Sequence, residues 1–194
     1  KAPMSVEELI LDPADGDTAL LFGDGAGAVL LRGEPKAGQL SSGLWGVRLH
    51  ADGTQHGLIM IPAGGSRQPT TSGTVGAKSH TLRMSGAPLF RLAVKRLEQA
   101  VREIVKEFGV DIQDIAQLVV HQANGRILDQ LTKRLGISPE RVCSVIGCYG
   151  NTSSASLPIA LDHAVRSGKI RPHDIVVLGS FGGGVTWAAG LVRW

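Results

Sequence analysis

Three apolar residues that end abruptly at a histidine constrain the fold of this chain more than any other feature. Leu118 to Val120 have the composition of a buried strand, and the small or polar residues His121 to Asn124 follow. The next residues, Gly125 to Leu128, are typical of the start of a helix. In α/β proteins, catalytic side chains lie at the carboxyl ends of such strands. The pattern therefore predicts an α/β fold with chemistry at His121.

The same arrangement recurs twice further along the chain. Cys148 to Ser154 form a tight polar turn between a predicted strand and a predicted helix, and Gly179 to Gly184 follow a third apolar strand. The three strand ends offer the imidazole of His121, the carboxamide of Asn151 and the backbone amides of Gly182 to Gly184. We expect these groups to converge on one acyl-transfer site.

Apolar periodicity predicts the remaining elements. The longest helix is expected to begin at Ser85 or Gly86 and to end at Gly109, and shorter helices are expected over 6–11, 125–135 and 153–167. Turns or loops are predicted over 33–42 and 62–79. Strands are predicted over 18–22, 28–32, 44–49, 58–61, 118–121, 142–146, 175–180 and 185–192. The final β-α-β-α-β-β order indicates a sheet covered by helices.

Composition excludes several classes of protein. The chain has 194 residues, of which 43% are hydrophobic and 19% charged, as in a soluble globular protein. The longest apolar run falls short of the 18 residues or so that a membrane span needs. Lys1 to Met4 contain no apolar signal region and no initiating Met. We therefore expect a fragment, a processed chain or an expressed segment that starts within a longer protein.

The cysteines and histidines give no metal pattern. Cys143 and Cys148 are predicted to be free thiols in a reducing cytoplasm, because their spacing is not that of metal ligands. The histidines do not pair at ligand spacing, so no metal site is expected. There is no Gly-x-Ser-x-Gly elbow. Nothing marks Cys148 as an activated nucleophile, and a buried structural thiol is the favoured interpretation.

Basic residues concentrate on two predicted helices. Solvated helix faces explain most of them, and the alternative is a docking face for an acidic partner. Nucleic acid is not expected, because the chain has no recognition motif and only 4% aromatic residues. The residues concerned are Arg91, Lys95, Arg96, Arg102, Lys106, Arg126, Lys133 and Arg134.

Each candidate residue also has a structural interpretation. His121 could donate from a neutral ring or accept a proton, or it could simply be a satisfied polar residue. Asn151 could be a helix N-cap or an uncharged donor to an oxyanion. The glycines at 182–184 could form a turn or present bare amides to an acyl oxygen.

Five segments in order carry a resemblance to a known family. The segments are Phe22-Gly-Asp-Gly-Ala-Gly-Ala28, His50-Ala-Asp-Gly53, His121-Gln-Ala-Asn124 with Arg126-Ile127, Tyr149-Gly-Asn-Thr-Ser153, and Phe181-Gly-Gly-Gly184 with Thr186-Trp187. They resemble the type III β-ketoacyl-acyl carrier protein synthases, which have the layered αβαβα thiolase fold with a mixed sheet. The resemblance implies that residues 1–33 are the tail of the N-terminal half. Residues 34–194 would form the C-terminal half with the active-site His and Asn.

The resemblance implies a decarboxylative Claisen condensation of acyl-CoA with malonyl-acyl carrier protein, which initiates fatty acid or polyketide synthesis. His121 and Asn151 match the residues that hydrogen-bond the malonyl thioester carbonyl, and Gly183 matches the oxyanion-hole glycine. Arg126 lies where the family meets its carrier protein. The positions that align with the pantetheine tunnel are Asn124, Gly86 and Phe90.

The chain also departs from the family pattern. The nucleophilic cysteine belongs to the N-terminal half, which this sequence lacks, and Ala87 replaces a common Asn. Cys148 stands where relatives commonly carry a charged residue. The expected partners are thus the missing half, the two thioester substrates and a second copy in a homodimer, with no cofactor besides coenzyme A thioesters as substrates. The alternatives are an acyltransferase or thioester hydrolase on the same fold, or a non-catalytic assembly half.

Overall fold

A four-stranded mixed sheet forms the centre of the chain in a computed structural model, which describes residues 10–33 and 42–194. The strands are β1 (Gly43–Ala51), β4 (Ile115–Val120), β5 (Ile175–Gly182) and β6 (Thr186–Arg193), in the spatial order β1-β6-β5-β4. β4 and β5 are parallel, whereas β6 is antiparallel to both β5 and β1. The predicted α/β class with a mixed sheet is confirmed.

Shorter elements surround this sheet. The strands β2 (Ile59–Met60) and β3 (Arg83–Met84) pair with each other. The helices are α1 (Gly16–Ala19), α2 (Ser72–Gly76), α3 (Gly86–Glu107), α4 (Gly125–Leu135), α5 (Ile146–Tyr149) and α6 (Ser156–Arg166). In the described part of the chain, no helix combines the length and the apolar composition that a membrane crossing requires.

Helices cover both faces of the sheet at β4 and β5. One face packs against α3 and α4, whose apolar stripes include the fully buried Val101, Ile104 and Leu131. The other face packs against α6, where Ala160 and Ala164 meet Val119 of β4. Because β4 is covered on both faces, its sequence is almost continuously apolar. The helices on the two faces leave the carboxyl ends of β4 and β5 uncovered.

Local signals set the ends of the main helices. α3 is followed by Gly109 (φ +66°) and α4 by Gly136 (φ +67°), the left-handed conformation that glycine adopts at little cost. Asn124 begins α4, and its side chain accepts a hydrogen bond from the Arg126 amide at 2.9 Å. The predicted bounds of α4 are confirmed, and those of α3 are confirmed to within about a turn.

Two predicted strands near the start of the chain are wrong. Over 18–22, α1 occupies the first residues, because the Asp15 side chain accepts from the Asp17 amide and caps a helix. Phe22 then makes a single bridge to Asn151. Over 28–32 the chain forms no strand, and Leu30 is 96% exposed. An extended apolar segment becomes a strand only beside a partner strand, and none of the described residues supplies one.

The predicted strand over 142–146 is also wrong. Val142 bridges Leu118, and the Cys143 amide donates to the Leu118 carbonyl at 3.0 Å, but the pairing stops there. The Val145 amide donates to Oε1 of the Gln122 side chain at 3.0 Å instead of to a neighbouring strand. α5 begins at the next residue, Ile146.

Two further predictions need adjustment. The segment 153–155 is a turn of 3-10 helix, so α6 begins at Ser156. The predicted loop over 62–79 contains α2, which begins with a capping box between Thr71 and Thr74. The predicted helix over 6–11 and the turn over 33–42 lie mostly outside the described residues. The domain boundary at residue 33 lies at the edge of a described range and stays a prediction.

Candidate active site

A cavity of about 1140 Å³ opens at the carboxyl ends of β4 and β5. Its walls come from the ends of these strands, the first turns of α3 and α4, and the turn that precedes α6. The structure brings all the site residues predicted from the sequence to this one cavity. These residues are Gly86, Phe90, His121, Asn124, Arg126, Asn151 and Gly183.

His121 follows the last residue of β4 and is held by its backbone and its ring. Its amide donates to the carbonyl oxygen of Gly179 on β5 at 2.8 Å, and its Nδ1 lies 2.6 Å from Oγ of Ser156. Burial lowers the pKa of His121 from 6.5 to about 4, and a hydrogen bond with the Ser153 backbone acts in the opposite direction. The imidazole is therefore neutral at pH 7 and can serve as an uncharged donor or acceptor.

Asn151 is buried in the turn between α5 and the 3-10 turn before α6. Its Oδ1 accepts from the Ser153 amide at 2.9 Å, and no group of the described residues accepts from its Nδ2. Asn151 is not the N-cap of α6, because Ala155 holds that position. Its carboxamide nitrogen is thus left for a ligand oxygen in the cavity.

Close backbone contact holds the Asn151 turn in place. The Asn151 amide donates to the Leu21 carbonyl, and the Gly23 amide donates to the Asn151 carbonyl, each at 3.0 Å. A Cβ atom added at Gly23 would lie 2.1 Å from the carbonyl oxygen of Tyr149. Glycine at position 23 is therefore a packing requirement.

Gly183 lies in the exposed turn that joins β5 to β6. Thr186 Oγ1 donates to the Gly183 carbonyl at 3.1 Å. The Asp52 and Val185 backbones exchange two hydrogen bonds of 2.9 and 3.2 Å, which tie the end of the turn to the residue after β1. The turn is thereby fixed against the sheet on the side of the cavity.

Other cavity residues lie on helix starts. Gly86 and Phe90 are in the first turns of α3, and exposed Arg126 is in the first turn of α4. Asn124 has a structural role as the N-cap of α4, which uses its Oδ1. Its Nδ2 is the part of the side chain that could meet a substrate.

Three of the seven other predicted basic docking residues have partners within the protein. Arg96 lies 4.7 Å above the Trp187 ring and 3.5 Å from Asp52. Arg102 and Arg134 both pair with Glu98. For Arg102 and Arg134 the solvated-face interpretation fits the structure. Arg91 and Arg126 both line the cavity.

Neither cysteine lines the cavity. Cys143 is buried, its Sγ donates to the Ala160 carbonyl at 3.2 Å, and burial raises the pKa of its thiol. Cys148 is exposed on α5, so the expectation of a buried structural thiol is wrong for this residue. Within residues 10–33 and 42–194, no cluster of His, Cys, Asp and Glu could hold a metal ion.

The sequence prediction missed two residues that support the site. Fully buried Gln122 donates from Nε2 to the carbonyls of Val120 and Cys143 and accepts from the Val145 amide. Ser156, which contacts the His121 ring, is 1% exposed. A polar residue beside a strand-end histidine was a usable signal for Gln122. Ser156 is one of several serines after Asn151, and only its position in space distinguishes it.

Two family models match the chain. Residues 105–194 match the model described as 3-oxoacyl-[acyl-carrier-protein (ACP)] synthase III C terminal. Residues 5–53 match the model described as 3-oxoacyl-[acyl-carrier-protein (ACP)] synthase III. The first match includes His121, Asn151 and Gly183.

Curated relatives carry the same family name. The chain is 45% identical over 185 residues to a beta-ketoacyl-[acyl-carrier-protein] synthase III of Rhizorhabdus wittichii, with 95% of this chain and 54% of the relative covered. A protein of the same name from Natranaerobius thermophilus is 43% identical, with 95% and 56% covered. The chain thus spans about half the length of the relatives it matches.

Solved structures share the fold. The 3-oxoacyl-(acyl carrier protein) synthase III of Pseudomonas aeruginosa superimposes with a TM-score of 0.85 at 39% identity, over 96% of this chain and 55% of that one. The enzyme of Aquifex aeolicus gives a TM-score of 0.82 at 36% identity. The expected thiolase-like fold is confirmed. The fold, the two matching family models and the curated relatives agree, and the chain belongs to the 3-oxoacyl-[acyl-carrier-protein] synthase III family.

Proposed function

We propose that this chain is the C-terminal part of a 3-oxoacyl-[acyl-carrier-protein] synthase III and forms the malonyl-binding side of its active site. The reaction is the condensation of an acyl-CoA with malonyl-acyl carrier protein, which starts a fatty acid or polyketide chain. The observation that supports this most directly is that His121, Asn151 and Gly183 line one cavity.

His121 and Asn151 serve the decarboxylation step. The malonyl thioester carbonyl accepts hydrogen bonds from the imidazole and from Asn151 Nδ2. The bond between the α-carbon and the carboxylate breaks, carbon dioxide leaves, and the electron pair forms an enolate whose oxygen keeps both donors. The pKa of His121 is about 4, so its imidazole is uncharged at pH 7, as the Asn151 carboxamide always is. The hydrogen bonds from both groups strengthen as negative charge develops on the oxygen.

Gly183 serves the condensation step. The enolate carbon attacks the carbonyl carbon of an acyl group held as a cysteine thioester. A C–C bond forms, the C–S bond then breaks, and the cysteine leaves as a thiolate that is protonated afterwards. The oxygen of the tetrahedral intermediate accepts from the backbone amide of Gly183, in the role of an oxyanion hole.

A companion segment supplies the cysteine nucleophile in this proposal. Cys143 and Cys148 do not line the cavity, and the chain covers only about half of its relatives. The described residues also expose large aliphatic side chains: Leu20 is 86%, Leu30 96% and Leu49 78% exposed. Such a surface is suited to burial against the remaining part of the family's fold.

Substrates reach the cavity as pantetheine thioesters. The cavity wall includes Gly86 and Phe90 from the first turns of α3 and Asn124 from the N-cap of α4. An extended pantetheine arm would lie along these three residues. Exposed Arg126 stands beside them as the contact for the acidic carrier protein.

A complementation assay tests the proposal. The chain is mixed with the N-terminal segment of the Rhizorhabdus wittichii relative, the part that it does not cover, or with the same segment in which the nucleophilic Cys is replaced by Ala. Release of CoA and carbon dioxide is measured together with the 3-oxoacyl product. We expect all three only with the cysteine-bearing segment. With His121→Ala in the chain, carbon dioxide and the 3-oxoacyl product should be lost, whereas release of one CoA per cysteine acylated should remain.

Other outcomes separate the alternatives. CoA release with hydrolysis or acyl transfer, but without a new C–C bond, would identify a hydrolase or an acyltransferase. A stable complex with no turnover would identify a non-catalytic assembly half. Either result contradicts the proposed condensation.

A further inference from the structure

We propose that Ser156 is a positioning residue that holds His121 in the tautomer with its proton on Nε2. The proposal rests on the proposed function of His121 as a donor to the thioester carbonyl. It adds a residue outside the predicted site and fixes which ring nitrogen meets the substrate.

The contact between the two side chains is short and shielded from water. Ser156 Oγ lies 2.6 Å from His121 Nδ1, and Ser156 is 1% exposed. The same Oγ accepts from the backbone amide of Gln122 at 3.1 Å. One hydroxyl group therefore contacts two consecutive residues at the end of β4.

The hydroxyl proton has one available acceptor. A serine hydroxyl carries one donor and two acceptor lone pairs, and the Gln122 amide occupies one lone pair. Among residues 10–33 and 42–194, no carbonyl or carboxylate oxygen accepts a hydrogen bond from Ser156 Oγ. Because a buried hydroxyl without an acceptor is costly, its proton is directed at Nδ1 of His121.

This direction decides the ring tautomer. If Nδ1 accepts, its lone pair is in use and the single proton of the neutral ring is on Nε2. Nε2 then carries the N–H, which can donate to the Ser153 carbonyl or, when substrate is bound, to a thioester carbonyl. In the other tautomer Nε2 would present a lone pair to that oxygen and repel it. Because the low pKa of His121 keeps the ring neutral, the tautomer decides whether it can donate.

The neighbouring structure makes the contact rigid. Ser156 is the first residue of α6, whose next turns pack against β4 and β5. Gln122 is itself fixed by three side-chain hydrogen bonds to the backbone around 120–145. The strand end and the helix start are thus joined through the hydroxyl.

The test reads the tautomer directly. The ring nitrogens are observed by NMR in the chain labelled with ¹⁵N-histidine, alone and with the cysteine-bearing companion, and His121→Gln assigns the signal. We expect the Nε2–H pattern in the wild type and a mixed or Nδ1–H pattern in Ser156→Ala. Decarboxylation should fall on the order of tenfold, the effect of losing one hydrogen bond of ordinary net strength. Ser156→Thr keeps the hydroxyl and should restore both readouts.

Ser167→Ala is the matched control. It removes a serine hydroxyl at the other end of α6, where Oγ donates to the Ala164 carbonyl. We expect an unchanged His121 signal and unchanged turnover in this variant. The comparison separates the tautomer effect from a general weakening of α6.

Two results would overturn the proposal. The first is an Nδ1–H pattern in the wild type, with Ser156 or the Ser153 backbone as the acceptor of that proton. The second is an unchanged tautomer in Ser156→Ala, because any loss of activity would then reflect packing alone. The NMR readout needs no turnover, so failure of the complementation assay with an Nε2–H signal would contradict the condensation function and leave the tautomer assignment standing.

Discussion

The backbone amide of His121 donates to the carbonyl oxygen of Gly179 across the parallel strand pair, at 2.8 Å. This bond fixes the histidine relative to β5, the strand that runs into the Gly182–Gly184 turn. The imidazole and Gly183, the proposed oxyanion-hole residue, therefore both follow directly from adjacent strands of one sheet. Positions fixed to this degree are what transition-state stabilisation by preorganised donors requires.

Replacing His121 with Ala should abolish condensation. Loss of one donor to a developing oxyanion costs at least about 10²-fold in rate. Carbon dioxide release from malonyl-acyl carrier protein in the complemented enzyme measures the effect. His163→Ala, which removes an exposed histidine on α6, is the control and should retain full activity. Wild-type rates for His121→Ala would remove the imidazole from the mechanism.

Replacing Asn151 with Asp separates its two roles. The carboxylate keeps the acceptor for the Ser153 amide, so the turn should stay folded. The Nδ2 donor is lost and a negative charge faces the enolate oxygen, so we expect a rate loss of at least about 10²-fold. Steady-state condensation and urea unfolding are compared. A large loss of stability at unchanged turnover would show that Asn151 serves the fold alone.

Replacing Arg126 with Glu should impair carrier-protein substrates selectively. Charge reversal at an exposed contact weakens association with an acidic partner, and we expect kcat/KM for malonyl-acyl carrier protein to fall on the order of tenfold. The value for acyl-CoA should change far less, and added salt should narrow the difference. Arg171→Glu, on an exposed loop before β5, is the matched control. Equal losses with both substrates would make Arg126 an ordinary surface residue.

The lowered pKa of His121 predicts an acid-sensitive fold. Between pH 6.5 and pH 4 the unfolded chain binds a proton at this histidine and the folded chain does not, so stability falls as the pH falls. From pH 7.5 to pH 5 this linkage removes about 2 kcal/mol from the free energy of unfolding. Urea titrations of the wild type and of His121→Gln at both pH values isolate the contribution. Identical pH dependence in the two proteins would contradict a buried neutral imidazole.

Replacing Gly23 with Ala should destabilise the Asn151 turn. The added Cβ would lie 2.1 Å from the Tyr149 carbonyl oxygen, so the backbone has to move. Overpacking of this kind costs about 1–3 kcal/mol. Gly57→Ala is the control, because a Cβ there meets no atom within 4 Å. Urea unfolding measures both variants, and equal stability would show that the glycine-rich segment tolerates side chains.

The sequence by itself determined the parts of the protein that depend on neighbouring residues. The run from Leu118 to Asn124 predicted β4, the histidine at its end and the start of α4, because strand, turn and cap signals are local. Strand ends of a parallel pair meet at one edge, so the convergence of His121 with Gly183 also followed from the pattern.

Tertiary structure decided the features that depend on distant partners. The segments 28–32 and 142–146 both have strand-like sequences. The first lacks a partner strand among the described residues. In the second, the Val145 amide donates to the Gln122 side chain and not to a strand. Pairing across the chain, and not local preference, makes a strand. The contact between Ser156 and His121 joins residues 35 positions apart. Only the packing of α6 against the sheet brings that hydroxyl to the ring.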